Sequence, residues 1–233
     1  MSAPAPRVVL ATTNRHKARE IAAILAPYGL AVEVPPRLAP VLEDGATFAE
    51  NAYKKALSAA RVAGRPALAD DCGLAVEALG GAPGVHSARY AGPGATDEAN
   101  TARLLAEIAA RGLVDPAAAF VCHAVLVSPG GEVLARAEAR VEGVVRGPPR
   151  GANGFGYDPV FHYVGPAHPA PGLRFAELTA ADKDALSHRG QAFRALAAAL
   201  RPAPPDGRRD APLFPDPSVQ SAPNAPGTAE PAP

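Results

Sequence analysis

Residues 7–26 read RVVLATTNRHKAREIAAILA. The opening six, residues 7–12, form a short apolar run of the kind that makes a buried strand. From residue 14 the period changes: Ala18, Ile21, Ala22 and Leu25 recur at helical spacing up to residue 26. A strand that turns straight into a helix is the first unit of an α/β layer. Gly29 stops the helix, and residues 31–34 read as a second strand. Thr47 and Glu50 form a Thr-x-x-Glu capping box, which opens a helix to about residue 63 with Phe48, Ala52, Ala56, Ala59 and Ala60 on one face. Residues 66–69 read as a strand ending at Asp70-Asp71, and Thr96 caps a helix reaching about residue 111. Residues 119–128 form a long strand candidate. Pro129-Gly130-Gly131 turns it into residues 132–145, where Arg136, Glu138, Arg140 and Glu142 alternate with Ala137, Ala139 and Val141. This period of two marks a half-exposed strand, hence a hairpin. Ser187 caps a last helix ending near residue 200. The order predicts an α/β fold, a mixed sheet flanked by helices.

The chain has 233 residues, with 23 basic against 23 acidic, so its formal net charge is zero. That argues against a nucleic-acid partner held by bulk charge. Hydrophobic residues make up 48%, enough for a core. No apolar run approaches the roughly 18 residues of a membrane span. Residues 1–6 are proline-bearing, lack the apolar segment of a secretory signal and are expected to be a flexible arm. The two cysteines, Cys72 and Cys122, have no zinc-type partners and are too few for a disulfide scaffold, which makes the cytoplasm the simplest compartment. Ten of the 27 prolines fall in residues 202–233, where few large apolar residues exist to offset the entropy of ordering. This predicts one folded domain over residues 7–201 followed by a disordered Pro-rich tail.

Five segments carry candidate chemistry. Thr12-Thr13-Asn14-Arg15-His16-Lys17 lies at a strand-to-helix turn, where free N–H groups and a lysine one turn in suit a phosphate chain; an N-cap with a solvated lysine explains the same residues. Asp70-Asp71-Cys72-Gly73 puts two carboxylates on an extended chain, pointing opposite ways, so one can hold a hard cation or activate water while the other fixes the loop; a turn whose aspartate caps backbone N–H groups explains the same pair. Glu43 and Asp44 are further candidate ligands. Ser87 and Arg89, after a glycine-rich stretch, suit either an anion or a structural turn. Gly154-Phe155-Gly156-Tyr157-Asp158 sets aromatics beside glycines, which suits a stacked planar ligand or a strand start in the core. Lys183 and Ser187-His188-Arg189 bring further cations, as does Lys55 on the capped helix.

In order, TTNRHK, TFAENAYKKA, ALADDCGLAVEALGGAPGVHSARYAG, GFGYDPVF and LSHRGQAF resemble the pattern of the Ham1-like inosine/xanthosine triphosphatases, pyrophosphatases of noncanonical purine nucleoside triphosphates. The likeness runs from about residue 7 to 200. It implies an elongated mixed sheet whose two lobes flank a central cleft, a homodimer, dependence on Mg²⁺, and conversion of (d)ITP or XTP to the monophosphate and pyrophosphate. Residue by residue it implies Asp71 as the water-activating, metal-binding carboxylate and Glu43 as the second metal ligand. Thr12, Thr13, Asn14, Arg15, His16 and Lys17 fall on the triphosphate turn, Lys55 on the active-site surface, and Phe155, Gly156, Tyr157 and Asp158 on the base-binding stretch with Phe155 stacking. Lys183, His188 and Arg189 match the remaining contacts. Cys72 departs from the family, which usually carries serine there, and a thiol is the weaker donor. Two rival functions remain open on sequence: a nucleotide-binding module without catalysis, and a pyrophosphatase of modified pyrimidine triphosphates.

Overall fold

Six strands form one sheet in the computed structural model, which describes residues 7–165 and 172–200. The expected arm and Pro-rich tail lie outside the described residues. The strands are β1 (Arg7–Leu10), β2 (Ala31–Glu33), β3 (Ala67–Val76), β4 (Ala117–Val127), β5 (Val133–Val145) and β6 (Phe161–Tyr163), in the order β2-β1-β3-β4-β5-β6. The first three are parallel and the rest antiparallel. Parallel neighbours need a crossover. Helices α1 (Arg15–Leu25) and α2 (Phe48–Ala63) supply those after β1 and β2. Helices α3 (Asp97–Ala110), α4 (Ala180–Leu186) and α5 (His188–Ala199) complete the layers, which is the α/β mixed sheet the sequence predicts.

The caps follow the sequence with one change. Thr47, Thr96 and Ser187 each accept the N–H three residues on, from Glu50, Ala99 and Gly190. The Glu50 carboxylate, however, accepts from Ala46 N–H at 2.8 Å, so only half of the expected capping box forms. A larger correction concerns β3. It does not end at Asp70-Asp71 but continues to Val76, because β4 pairs with it from Ala67↔Val127 through Asp71↔His123 to Val76↔Ala118. A carboxylate pair before glycine reads locally as a turn. Here buried cations meet both carboxylates, so the ladder need not break.

Side chains alternate across β3. Leu68 joins Leu10, Ile21, Phe193 and Leu196 under α1 and α5, while Ala67 and Ala69 join Ala52, Ala56 and Ala60 under α2 on the other face. At the far end of the long strands, Leu74, Phe120, Phe161 and Phe175 pack with Leu104 of α3. Apolar clusters thus occupy both ends of β3, and residues 70–73 lie between them. The sheet is elongated, with a lobe at each end and the cleft in the middle. Glycine is required at the centre: a Cβ on Gly73 would strike Ser87 Oγ and the Gly84 carbonyl of the 3₁₀ helix Gly84–Arg89.

Candidate active site

The middle of β3 splits its acids between two faces. Asp71 points to the α2 side, where Lys55 Nζ donates to its Oδ1 at 2.6 Å and to Glu43 Oε2 at 3.3 Å. Asn51 Nδ2 approaches Asp71 Oδ2 at 3.4 Å, and Asn51 Oδ1 accepts from Gly45 N–H at 2.8 Å. Arg89 donates to the Glu43 carbonyl at 2.8 Å. Asn51 and Arg89 therefore hold the loop that carries Glu43 against β3. Burial raises the Asp71 pKa above the usual carboxylate range, and neighbouring Glu43 adds to it despite Lys55.

Asp70 points to the α1/α5 side. Its Oδ2 accepts from Lys17 Nζ at 3.1 Å, from Arg189 Nε and Nη2 at 3.4 Å each, and from the Cys72 thiol at 2.8 Å. Burial alone would raise the Asp70 pKa, but Lys17 and Arg189 overcome it and hold the carboxylate well below its ordinary range. Arg189 Nη1 continues to Glu20 Oε2 at 2.7 Å, and Glu20 Oε1 accepts from Lys183 Nζ at 2.8 Å. Lys183 ends on Asp158 Oδ2 at 2.6 Å. Burial opposes the Lys183 charge, yet Asp158 and Glu20 keep its pKa above the ordinary lysine value. The outcome is an unbroken run of alternating charge, Lys17–Asp70–Arg189–Glu20–Lys183–Asp158. Few of these groups are wet, and such pairs hold only while every partner stays in place.

Asp158 also accepts the Phe155 N–H at 2.9 Å, which pins the turn so that the Phe155 ring lies 4.7 Å from Lys183 Nζ and 5.3 Å from the Arg189 guanidinium carbon. Gly154 has φ +74°, and a Cβ there would collide with the Asp158 carboxylate. Asp97, at the start of α3, accepts the Gly156 N–H at 2.7 Å. His188 is buried, stacks on Phe120 with centroids 4.6 Å apart, and its Nδ1 has no partner among the described residues. Burial pushes its pKa well below the usual histidine value, with Arg189 and Lys183 acting in the same direction.

Most of these groups line one cleft of about 590 Å³, large enough for a nucleotide, while Glu20, Asn51 and Arg89 stand behind its wall. Thr12, Thr13, Asn14, Lys17, Glu43, Lys55, Asp71, Cys72, Phe155, Gly156, Tyr157, Asp158, Lys183, His188 and Arg189 all contribute to its lining. Arg15 lies instead in the adjoining groove beside Val34 and Pro35, and exposed His16 meets the Phe155 ring at 5.8 Å. Asn14 caps α1, accepting from His16 and Lys17 N–H, and it lines the cleft as well. Lys17 is not solvated. Tyr157 is a core residue whose hydroxyl donates to the Ser87 carbonyl, and it sits in a turn rather than at a strand start. Ser87 accepts from Leu74 N–H and donates to the Gly84 carbonyl, so it is structural. Asp44 pairs only with exposed Lys54.

The donor set beside Asp71 is of the kind a hard cation takes: Glu43 and Asp71 offer carboxylate oxygens, which Lys55 bridges in this structure and would have to yield in part to an ion. Four cations of the cluster, Lys17, Lys55, Lys183 and Arg189, face five carboxylates, Glu20, Glu43, Asp70, Asp71 and Asp158.

The sequence model of the Ham1 family matches residues 8–199. The chain belongs to the Ham1 family. It is 53% identical over 192 residues to a protein of Syntrophobacter fumaroxidans named dITP/XTP pyrophosphatase, covering 81% of this chain and 79% of that one. A protein of the same name from Geobacter sulfurreducens is 49% identical, covering 82% and 94%. Among solved structures, a HAM1 protein from Coxiella burnetii superposes with a TM-score of 0.74 at 39% identity, covering 83% of this chain and 98% of that chain. The matched range includes all five segments that contribute residues to the cleft.

Three contributors escaped the sequence reading: Glu20, Asn51 and Asp97. Each lies on a helix that was recognised, but an acid or amide on a polar helical face looks like solvated surface. Glu20 meets its partners only across 163 and 169 residues of sequence. The one local signal was Asn51, which follows the cap by four residues on an otherwise alanine-rich face.

Proposed function

We propose that this chain hydrolyses noncanonical purine nucleoside triphosphates, dITP, ITP and XTP, to the monophosphate and pyrophosphate, with Mg²⁺ as cofactor. The names of its relatives support the substrate class. The observation that carries the reading is the division of the cleft: Asp71, Glu43 and Lys55 at one side, the Phe155 ring at the other, and Lys17 and Arg189 between.

Glu43 and Asp71 would hold Mg²⁺, which when bound neutralises phosphate oxygens and lowers the pKa of a water. Lys17 and Lys55 turn toward the polyphosphate and stabilise the charge of departing pyrophosphate. Asp71, with its raised pKa, accepts at Oδ2 the proton of the water that attacks the α-phosphorus. The Phe155 ring stacks on the base. Arg189, whose guanidinium carbon lies 5.3 Å from that ring, donates to the 6-keto oxygen. Adenine presents an amino group there, which leaves two donors facing each other, and a site built this way rejects the wrong ligand strongly.

Pyrophosphate release across ITP, XTP, dUTP, GTP and ATP, with and without Mg²⁺, tests the reading. ITP and XTP are expected to exceed ATP in kcat/KM by at least about 100-fold. Equal values for ITP and ATP refute the base assignment, dUTP as best substrate points to pyrimidines, and no release from any nucleotide refutes catalysis.

Among the described residues no helix is long and apolar enough to cross a membrane. The Ham1 resemblance supports a cytoplasmic homodimer, and light scattering at twice the chain mass of 23.7 kDa checks the dimer. The proline content of residues 202–233 supports a catalytic domain of residues 7–201, so a chain ending at residue 201 should keep full kcat/KM.

A further inference from the structure

No step of the hydrolysis described above is carried by the thiols of Cys72 and Cys122. They stand directly opposite each other on the antiparallel strands β3 and β4. Residues so opposed have Cβ atoms roughly 4.5–5.5 Å apart, next to the range a disulfide spans. Both side chains lie on the α1/α5 face, Cys122 inside the apolar cluster there and Cys72 packed against it. Their sulfurs and a carboxylate oxygen of Asp70 all lie within 4.8 Å of one another. The two thiols are free, and they are the only cysteines of the chain, so a single intramolecular pairing exists. Access is unequal: Cys72 lines the cleft, whereas Cys122 is 0% exposed.

Two chemistries use such a cluster, a thiophilic metal ion or a disulfide, and the surroundings separate them. Asp70 Oδ2 is already shared by Lys17 at 3.1 Å and Arg189 at 3.4 Å. A cation placed there is repelled by both. A disulfide carries no charge and asks no bond of Asp70.

We propose that Cys72 and Cys122 are a reversible dithiol–disulfide pair, oxidised by a peroxide that enters through the cleft and reacts first at Cys72. The peroxide O–O bond breaks; one oxygen bonds to the Cys72 sulfur as sulfenic acid, and the other leaves as water or alcohol with the thiol proton. The Cys122 sulfur then attacks the Cys72 sulfur, the S–O bond breaks, and the hydroxyl leaves with the Cys122 proton as water. Each sulfur loses one electron and the peroxide gains two. Closure removes the S–H donor from Asp70 and ties β3 to β4 at the floor of the cleft. In a reducing compartment such a bond is transient, a form suited to sensing rather than to stability.

Hydrogen peroxide on the full chain, followed by free-thiol titration and peptide mapping, tests this. The expected result is loss of both free thiols, a single cross-linked peptide containing Cys72 and Cys122 within one chain, and recovery of both thiols on adding dithiothreitol. In Cys122→Ala, Cys72 instead gains oxygen and passes to the sulfinic acid. In Cys72→Ser, Cys122 stays reduced over the same time. Oxygen addition at Cys72 of the unaltered chain while Cys122 remains free, cross-links only between chains, or two thiols that persist under peroxide would each overturn the proposal.

Discussion

Asp70 and Asp71 are chemically identical and adjacent, yet their surroundings separate them by job. Asp70 sits among Lys17, Arg189 and the Cys72 thiol, which fix it as a permanent anion that orders cations. Asp71 has one lysine, one distant amide and a nearby carboxylate, and its raised pKa makes it the better proton acceptor. Asp71→Asn keeps the shape and removes the base, so kcat should fall by roughly 10²–10⁴-fold with nucleotide still bound. Single-turnover rates and an ITP titration of the variant check this, and near-normal kcat is the contrary outcome. Glu20 is the next residue to test, because among the described residues it is the only acid shared by Lys183 and Arg189. Glu20→Gln leaves each cation with one acid instead of two. Glu20 is partly wet, so the loss in urea unfolding should be about 2 kcal/mol, below that for breaking a fully buried pair. A change near zero would show that Asp158 and Asp70 suffice. The adjacency of Asp70 and Asp71 was legible in the sequence, and so was their divergence, since an extended chain sends neighbours to opposite faces. Which of them orders cations was not, because Arg189 reaches Asp70 from 119 residues away.

At the level of elements, β3 organises the site by running through it. Its residues 67–69 and 74–76 are anchored in apolar clusters, so the segment 70–73 is stretched between two fixed ends. The 3₁₀ helix Gly84–Arg89 packs against that segment, and Leu74 N–H donates to Ser87 Oγ at 3.0 Å. Gly73→Ala tests this fit. The added methyl would meet Phe48 Cε1 at 2.9 Å and would overlap Ser87 Oγ and the Gly84 carbonyl. Crowding of this kind costs about 1–3 kcal/mol, and since it displaces the strand between Asp71 and the loop of Glu43, KM should rise as well. Thermal unfolding and ITP kinetics on the same sample read both effects; an unchanged midpoint would mean the helix yields freely. The strands and helices with clear periodicity were legible: α1, α2, α3, α5 and the β4–β5 hairpin all lie within a few residues of their expected bounds. Two elements were not. β6 is three residues long, and α4 is a seven-residue helix, AADKDAL, whose Lys183 is buried. No pattern rule places a lysine indoors, and only the acids of α1 and the Phe155 turn explain it.

Across the whole molecule, the cleft buries charge that the unfolded chain would leave in water, so stability must follow pH. Asp70 has a folded pKa below its unfolded value. Its contribution is present above the unfolded carboxyl pKa of about 3.9 and is lost only as pH falls toward the folded value. It is therefore silent at mildly acid pH. His188 acts earlier. Its folded pKa lies well below 6.5, because burial and the cations of Arg189 and Lys183 disfavour the imidazolium more than Asp70 favours it. Above pH 6.5 neither state of the chain binds a proton at this ring, and His188 contributes no slope. Below it the unfolded chain takes a proton that the folded chain refuses, so stability falls as pH drops, by up to about 1.4 kcal/mol per pH unit for one such group. Asp71, Asp158 and Asp184, whose folded pKa values are raised, have the opposite sign, so the absolute curve mixes these contributions. Comparison with His188→Gln removes everything except the ring. Urea unfolding from neutral pH down to about pH 5 should show the unaltered chain losing stability faster than the variant, with the difference opening near pH 6.5. Parallel curves would mean that His188 accepts a proton in the folded state. That imidazolium would then stand buried beside the cations of Arg189 and Lys183, which only a rearrangement around the ring could stabilise.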